Sequence, residues 1–340
     1  MTARPWREAW EEALYGPGGF YLRPEGPGAH FRTASTASSS GLLGRALAVL
    51  AERCGCTSVV DVGAGHGELL LAVGVAAPSL RLVAVERAPR PDGLPAAVEW
   101  LADPPETMHA TLLVGWELLD VVPCPVLEAD PDGTTRQVLV AADGTQTLGD
   151  SVGPEDSAWC RRWWPVTVPG SRAEVGTARD ELWSGLVSRL ADGVALAVDY
   201  GHTLAHRPPA GTLTGFRAGR QVAPVPDGAT DLTASVALDS LAAALPDGPD
   251  RLTWLLRQRE ALVALGLSGR RPDQALARSD PARYLARLAA AGEAAELEDA
   301  SGLGGFGWVV HAVGGTATRG AEGLFGAAGW LDTARGWLTS

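Results

Sequence analysis

The feature that most constrains the fold of this chain is a β-branched segment that passes into closely spaced glycines and then into an apolar helical pattern. It reads VVDVGAGHGELL at residues 59–70. Because glycine has no side chain, such a turn can pass tightly beneath a ligand and let the amides of the next helix face it. A dinucleotide fingerprint, G-x-G-x-x-G, needs a third glycine where this chain has Glu68. The segment predicts a strand, a glycine turn and a helix without dinucleotide spacing.

The acidic residue before the glycines points to a different ligand. An acidic residue two positions before G-x-G-x-G is the pattern with which class I methyltransferases bind S-adenosylmethionine (SAM). In such a site the loop amides and the Asp61 carboxylate hold the methionine end of the cofactor. A glycine turn that binds no ligand is the alternative. The predicted cofactor-binding residues of this turn are Asp61, Gly63, Ala64, Gly65 and Gly67.

A second acidic residue, Glu86, ends the next predicted strand. A carboxylate at this place can accept hydrogen bonds from both ribose hydroxyls of an adenosyl group. SAM and NAD carry the same ribose, so Glu86 favours an adenosyl ligand without separating the two. The alternative is a solvated acidic residue at a strand end.

Composition excludes several classes of function. The 340 residues include 40 acidic and 28 basic ones, a net charge of −12, which repels nucleic acid and anionic membranes. The sequence has no lysine, which excludes Schiff-base chemistry, pyridoxal phosphate attachment and a phosphate-binding P-loop. The four cysteines form no C-x-x-C pair, so we predict neither a metal site nor a disulfide framework.

The termini and apolar segments predict a cytoplasmic protein. Residues 1–15 mix basic and acidic side chains and lack the apolar stretch of a secretory signal. The longest uncharged run, at about 300–318, is interrupted by glycines and polar residues. We therefore expect no membrane span.

Short β-branched segments alternate with helical patterns along the chain. Strands are predicted at 58–62, 81–86, 97–100, 111–115, 194–198 and 306–313, and a β-hairpin at 126–140. The later helices are predicted at 233–245, 252–265 and 281–297. The alternation predicts an α/β fold of the class I methyltransferase (Rossmann-like) type, with a mostly parallel sheet and helices on both faces.

This pattern divides the chain into four predicted regions. Residues 1–55 form N-terminal helices and a lid loop, and 56–202 form the SAM-binding core with an insertion at 124–170. Residues 203–313 supply a substrate-side loop, helices and the final strand. The Gly- and Ala-rich tail at 314–340 is either a weak helix on the protein's own surface or a frayed end.

Acidic residues follow the fourth and fifth strands of the core. In an open α/β sheet the ligand crevice lies beyond the carboxyl ends of the strands, so these residues should face it. An arginine acceptor would need carboxylates that orient its guanidinium and accept its proton late. Tyr200 either points its hydroxyl into this pocket or packs. The predicted catalytic residues are Glu117, Asp120, Asp199 and Tyr200.

Further residues are predicted to contact substrate or to cover the site. His202 can act as an acid or base near neutral pH. Asp231 either contacts substrate or begins a helix. The loop at 31–33 is either a lid over the cofactor or a crossover loop. The substrate and lid residues are Phe31, Arg32, Thr33, Trp116, His202 and Asp231.

Six motifs occur in a characteristic order. They are ALYGPGGFY (13–21), HFRTAS (30–35), VVDVGAGHGELL (59–70), WELLDVVP (116–123), VDYG (198–201), and GTLTGFR with DLTA (211–217, 231–234). The chain thereby resembles the MidA family of SAM-dependent methyltransferases, and its actinobacterial branch most closely. This family is related to the mitochondrial complex I assembly factor that methylates arginine.

The resemblance implies roles for individual residues. The three glycines at 63, 65 and 67 form the SAM loop, and Glu86 binds the ribose. Glu117 and Asp120 lie at the transfer site, where Glu117 also borders the cofactor, and 199–201 match the D-Y-G motif of the family. Two departures affect acceptor recognition. Trp116 replaces the usual asparagine, and residues 30, 35 and 36 differ from the usual Asp, Pro and Glu.

Three functions follow from these observations. The first is a SAM-dependent methyltransferase that acts on a protein side chain, arginine by resemblance, or on a small molecule. The second is a SAM-binding assembly factor with little transfer activity. The third is an NAD(P)-dependent oxidoreductase, against which Glu68 in the glycine motif argues. No nucleic acid partner is expected.

Overall fold

The computed structural model describes residues 3–23, 41–245, 247–267, 271–299 and 302–326. The predicted lid residues Phe31, Arg32 and Thr33 lie outside the described residues, as does the end of the tail. The chain divides into two compact units. The first unit contains Glu117–Gly185, Asp199–Leu245 and the described part of Met1–Phe31. The second unit contains Leu186–Val198 and the described parts of Arg32–Trp116 and Pro246–Ser340.

The described residues form strands β1 to β17 and helices α1 to α10. In chain order the strands are Arg4–Pro5, Ser58–Val62, Arg81–Val85, Val98–Leu101, Thr111–Trp116, Val126–Ala129, Thr135–Val140, Gln146–Ser151, Arg172–Glu174, Gly193–Asp199, Gly201–His202, Thr214–Arg217, Arg220–Val222, Asp231–Thr233, Val236–Ala237, Arg251–Arg257 and Gly307–Val313. The helices are Trp6–Tyr15, Leu42–Arg53, Glu68–Ala76, Pro154–Trp163, Thr177–Ser188, Leu238–Ala243, Gln258–Ala264, Gln274–Ser279, Pro281–Glu298 and Gly315–Phe325.

A seven-stranded sheet forms the centre of the second unit, in the order β16-β17-β10-β5-β2-β3-β4. The neighbours from β10 to β4 pair in parallel, whereas β16 and β17 pair antiparallel. Every residue of β2, β5 and β10 is buried, as expected for strands covered on both faces. The fold is therefore mixed α/β, with a parallel portion that the sequence predicted and an antiparallel pair at one end.

Two helix contacts in the second unit require glycine. Helix α2 packs on α3 at Gly44, where a Cβ would lie 2.3 Å from the carbonyl carbon of Ala72. Helix α10 approaches α2 at Gly320, where a Cβ would lie 2.2 Å from the carbonyl oxygen of Arg53. Because these positions admit no side chain, the helices pack backbone against backbone. The tail therefore begins as a packed helix.

Two of the predicted helices are only partly helical in the structure. The segment 252–265 was expected to be helical throughout, but Arg251–Arg257 is strand β16, paired with β17, and the helix begins only at Gln258. Apolar residues at 252, 255 and 256 fit a helical period, and pairing with β17 overrides that local signal. In the segment 233–245 only Leu238–Ala243 is helical (α6), because Thr233 ends β14 and Val236–Ala237 form β15. The helix Pro281–Glu298 is confirmed, with Asp280 as its N-cap.

The first unit contains smaller sheets. Strands β6 and β7 form the predicted hairpin, in which Oδ1 of Asp130 accepts hydrogen bonds from the amides of Asp132 and Thr134. They extend through β1, β8 and β9 into a five-stranded sheet. A three-stranded sheet has the order β13-β12-β14, and β11 pairs with β15. Helix α1 buries Trp6 and Trp10 in the core of this unit.

None of the described helices is long and apolar enough to cross a lipid bilayer.

Candidate functional site

The glycine turn of the second unit has the backbone that its sequence predicts. Gly63, Gly65 and Gly67 have φ angles of 75°, 56° and 86°, in the left-handed region that favours glycine. Gly67 is the N-cap of α3, so the first amides of this helix follow the turn directly. Apart from Gly65 itself and its two neighbours in the chain, no described residue has an atom within 4 Å of the place that a Cβ on Gly65 would take. The turn thus has open space beside it.

The carboxylate of Glu86 stabilises this turn. Its Oε2 accepts a hydrogen bond from the Gly65 amide at 3.1 Å, and its Oε1 accepts one from the Ala88 amide at 2.9 Å. Each carboxylate oxygen has two lone pairs, so both keep an acceptor position for a ribose hydroxyl. With the open space beside Gly65 and the helix amides after Gly67, these residues fit an adenosyl ligand.

Asp61 is buried at the end of β2, two residues before the first glycine. Burial, followed by the nearby charges of Glu86 and Glu68, raises the pKa of its carboxyl from 3.8 to about 8. A cationic group bound here would favour the ionised carboxylate. The ammonium and sulfonium of SAM are such groups.

Trp116 is the last residue of β5. Its ring is buried and meets the Trp308 ring edge to face, with centroids 5.8 Å apart. The indole Nε1 is buried and contacts no hydrogen-bond acceptor among the residues that the structure describes. An asparagine here would present an amide, whereas this chain presents an aromatic ring.

The first unit brings together acidic residues that the sequence predicted from separate motifs. Glu117 follows β5 directly and adopts a φ of 50°, which is strained for a residue other than glycine. Its charge acts on both Asp199 and Asp231. The charge of Asp120 acts on the same two residues, so these four residues form one group, the carboxylate cluster.

Asp199 anchors the backbone of this cluster and is 1% exposed. Its Oδ2 accepts hydrogen bonds from the amides of Leu119 and Asp120 at 3.0 and 3.1 Å. Its Oδ1 accepts one from the amide of Tyr200 at 3.0 Å. Burial, followed by the charges of Asp120 and Glu117, raises the pKa of this carboxyl well above its usual range. Asp199, the last residue of β10, therefore fixes the end of β10 to the segment that follows β5.

Asp120 and Asp231 each pair with a tyrosine. The Tyr200 hydroxyl donates to Oδ2 of Asp120, and the Tyr21 hydroxyl donates to Oδ1 of Asp231 at 3.3 Å. Burial raises the pKa of Asp120 to about 6, although the Tyr200 hydrogen bond and the Arg179 charge oppose the rise. Burial and the Asp120 charge raise the pKa of Asp231 to about 7. Both carboxyls can therefore exchange a proton near neutral pH.

The alternative that Asp231 begins a helix is wrong. Asp231 is the first residue of β14 and lies opposite Phe216 of β12 in an antiparallel pair. The sheet pairing explains the difference, because strand backbone satisfies its amides through the ladder and needs no side-chain cap.

His202 lies in a packed group of side chains. Its Nδ1 is 2.6 Å from Nη1 of Arg207, and its ring meets the Trp164 ring edge to face at 4.4 Å. Burial, aided by the charges of Arg207 and Arg179, lowers the pKa of His202 to about 3. The imidazole is therefore neutral at pH 7 and cannot act there as an acid by losing a proton from its cationic form.

Two residues that contact this region, Tyr21 and Arg179, have no signal in the sequence that predicts the contact. Tyr21 lies in the ALYGPGGFY motif, but its partner Asp231 is 210 residues away, and no spacing rule links them. Arg179 is 2% exposed, and its guanidinium donates to the backbone carbonyls of Asp120, Val122 and Ser235. A lone arginine early in a helical segment gives no signal of burial.

The chain is similar to known proteins in sequence and in fold. Residues 76–250 match a family described as "Putative S-adenosyl-L-methionine-dependent methyltransferase". Two crystal structures of COG1565 superfamily proteins from Burkholderia thailandensis, one bound to S-adenosyl-homocysteine and one native, are each 23% identical to this chain. They give TM-scores of 0.74 and 0.73 over 98% and 97% of this chain and 90% of theirs. No curated protein matches the sequence.

The family match covers more than half of the chain, which therefore belongs to this family of methyltransferases. The protein is accordingly a SAM-dependent methyltransferase, and its cofactor is SAM. The two similar structures show that the fold is shared.

Proposed function

We propose that this enzyme methylates a nitrogen of a protein side chain, arginine by its resemblance to the MidA family. The carboxylate cluster is the observation that carries this proposal. Asp120, Asp199 and Asp231 are all buried, and burial raises the pKa of each carboxyl, so a bound cation would stabilise their ionised forms. A guanidinium would supply that charge and would match carboxylates in shape and hydrogen bonding.

The second unit is proposed to hold the cofactor on a Rossmann-like sheet of the class I type. The amides around Gly65 and the Asp61 carboxylate would hold its methionine end, with Ala64 in the turn between the glycines. Glu86 would accept the ribose hydroxyls, and Glu117 would border the same cofactor. The positive φ angles of the glycines and the free acceptor positions on Glu86 support this assignment.

The first unit is proposed to hold the acceptor and to accept its proton. As an N–C bond forms and the sulfonium S–C bond of the cofactor breaks, the electron pair stays on sulfur and one proton leaves the nitrogen. Glu117 and Asp120 would orient the guanidinium through charged hydrogen bonds. Asp231, with a pKa of about 7, is suited to accept the proton and pass it to solvent. Tyr200 would hold Asp120 in place.

Trp116, which directly precedes Glu117, departs from the MidA pattern. The indole at this position supplies no side-chain carbonyl, whereas the asparagine of the MidA pattern would. Acceptor recognition would therefore differ at this position from that of the MidA pattern. The four cysteines are free and buried, which supports a reducing, cytoplasmic setting.

Calorimetric titration tests the cofactor assignment first. We expect SAM and S-adenosylhomocysteine to bind and NAD to give no heat of binding. NAD binding without SAM binding would contradict the assignment. Glu86→Gln should weaken SAM binding by about tenfold or more, since it removes a charged acceptor of the ribose hydroxyls.

Transfer of labelled methyl groups tests the acceptor assignment. The enzyme and labelled SAM are incubated with a desalted extract of the source cells, and digests are searched for methylarginine by mass spectrometry. Glu117→Gln, Asp120→Asn and Asp231→Asn should each lower labelling by about tenfold or more while SAM affinity stays unchanged for the two aspartate variants. Glu155→Gln, an exposed change in α4, is the matched control. Label on another residue type would overturn the choice of arginine.

A further inference from the structure

Arg179 is the buried cation nearest to the backbone of the carboxylate cluster and has no role in the function proposed above. It lies in the first turn of α5. Its Nη2 donates to the Asp120 carbonyl at 3.0 Å, its Nε to the Val122 carbonyl at 3.3 Å and its Nη1 to the Ser235 carbonyl at 3.0 Å. Each of its three nitrogens thus donates at least one hydrogen bond.

These carbonyls belong to two separate segments. Asp120 and Val122 lie in the segment after β5, and Ser235 lies between β14 and β15. The Ala234 amide also donates to the Asp120 carbonyl at 3.0 Å, so the two segments touch where the guanidinium joins them. One segment carries Asp120, and the other is continuous with Asp231.

Trp10 supports the same junction from α1. The Arg179 guanidinium carbon lies 5.8 Å from the centroid of the Trp10 ring, a cation–π distance. The indole Nε1 donates to the Leu232 carbonyl at 3.0 Å, and Leu232 is the residue after Asp231. The guanidinium and the indole together fix β14 against the segment after β5.

The charge of Arg179 acts on the ionisable groups around it. It lowers the pKa of the Asp120, Asp199 and Asp180 carboxyls, against the larger effect of burial in each. It also opposes the rise in pKa of the Cys124 thiol and contributes to the lowered pKa of His202. The groups facing Asp120 are Tyr200, Tyr21, Asp199, Asp231 and Arg179. Arg179 is the cation in that set.

We propose that Arg179 is a positioning residue for methyl transfer: by joining the two backbone segments, it fixes the spacing of the Asp120 and Asp231 carboxyls that receive the acceptor. This inference rests on the proposed function of the carboxylate cluster. A planar guanidinium can reach three carbonyls at once, whereas an ammonium on a single nitrogen cannot keep the same three directions. Arg179→Lys keeps the positive charge and loses the planar geometry, whereas Arg179→Met loses both, so the two variants separate the effect of charge from that of geometry.

The test compares Arg179→Lys, Arg179→Met and the control Arg172→Lys, whose arginine pairs with Glu128 elsewhere in the first unit. Labelled-methyl transfer to the cell extract is measured against pH, together with SAM affinity and thermal unfolding. We expect both Arg179 variants to keep SAM affinity within about twofold, since the glycine turn, Asp61 and Glu86 belong to the second unit and the Arg179 guanidinium donates to the carbonyls of Asp120, Val122 and Ser235, none of which is a proposed cofactor contact. Transfer by Arg179→Lys should fall by about tenfold or more, because small misplacements at reacting groups are costly.

The pH profile separates positioning from a loss of folded protein. Transfer requires an ionised carboxyl, and a cation favours ionisation. Arg179→Met should therefore move the acidic midpoint of the profile upward by about half a pH unit or more, whereas Arg179→Lys should leave it near the wild-type value. Equal rates and midpoints in all three variants, corrected for folded fraction, would overturn the proposal. A loss of folded protein that accounts for the whole rate change in Arg179→Lys would overturn it as well.

A second readout does not depend on transfer. The titration of the Asp120 carboxyl is followed by carbon-13 NMR and assigned with Asp120→Asn. Its midpoint should lie near pH 6 in the wild-type protein and higher in Arg179→Met. If the wild-type enzyme binds SAM but labels no protein, the proposed acceptor is wrong, and this titration still decides whether Arg179 acts on Asp120. An unchanged midpoint in Arg179→Met would then contradict the inference.

Discussion

The phenolic hydroxyl of Tyr200 donates a hydrogen bond to Oδ2 of Asp120, 80 residues earlier in the chain. Tyr200 directly follows β10, and Asp120 lies in the segment that follows β5, so the bond joins the ends of two neighbouring parallel strands. It lowers the pKa of Asp120, which burial raises. The tyrosine therefore keeps a fraction of this carboxyl ionised at neutral pH.

Tyr200→Phe should raise the pKa of Asp120, because the ionised form loses a hydrogen bond. Methyl transfer at pH 6 should fall by more than at pH 8, and SAM affinity should not change. Rates of labelled-methyl transfer across this pH range check the expectation. Tyr284→Phe, a change in α9 of the second unit, is the control. An equal loss at both pH values would show that the hydroxyl does not act on Asp120.

Asp61 should make the protein less stable as the pH rises. Its pKa is about 8 in the folded protein against 3.8 for an ordinary aspartate, so the folded state retains a proton that the unfolded state releases. The free energy of unfolding should fall by about 1.4 kcal/mol per pH unit from this group between pH 5 and 7. Urea unfolding of the wild-type protein and Asp61→Asn at pH 5, 6 and 7 measures the difference.

Other buried carboxyls also titrate in this range, so only the difference between the two proteins reports on Asp61. Asp61→Asn should show the shallower decline with pH. Parallel curves for the two proteins would mean that Asp61 is ionised in the folded state throughout.

Gly67→Ala should destabilise the glycine turn. Gly67 has a φ of 86°, and an added Cβ would lie 3.0 Å from Cδ1 of Leu94. We expect a loss of about 1–2 kcal/mol in the free energy of unfolding from the backbone strain, together with weaker SAM binding. Gly292→Ala is the matched control in the same unit, because Gly292 lies within α9 and, apart from its chain neighbours and the nearby backbone of the same helix, its Cβ would meet no described atom within 4 Å. That control should be neutral or stabilising.

Asp199→Asn should destabilise the first unit, because an amide has one acceptor oxygen in place of two. Asp199 accepts three backbone amides through both oxygens, so at least one amide would face an NH2 group. The expected cost is about 1–3 kcal/mol in the free energy of unfolding. Urea unfolding checks it against Asp132→Asn, an exposed change in the β6–β7 turn. Equal stability of the two variants would indicate that Asp199 is protonated and already presents only one acceptor.

The sequence predicted the elements whose signals are local. Glycine spacing and β-branched segments predicted β2, the turn after it and α3, and the structure has Ser58–Val62 and Glu68–Ala76. The turn at 131–133 likewise predicted the β6–β7 hairpin. In each case the residues that determine the backbone lie within a few positions of one another.

Features that depend on distant residues escaped prediction. β16 is a strand because β17, about 50 residues later, pairs with it along its whole length, while its own apolar spacing suits a helix. Arg179 is buried because carbonyls from two other segments surround it. The acidic residues after β5 and β10 were identifiable from strand ends, but their tyrosine partners were not, since hydrogen bonds between side chains leave no periodic trace in sequence.

The left-handed backbone of Glu117 sets stability against activity at that position. A non-glycine residue held at a φ of 50° carries conformational energy of about 1 kcal/mol or more, which glycine would relieve. Selecting variants for thermal tolerance alone would therefore enrich Glu117→Gly, and with it the loss of a carboxylate. Directed evolution for higher thermal stability should therefore leave Glu117 unchanged.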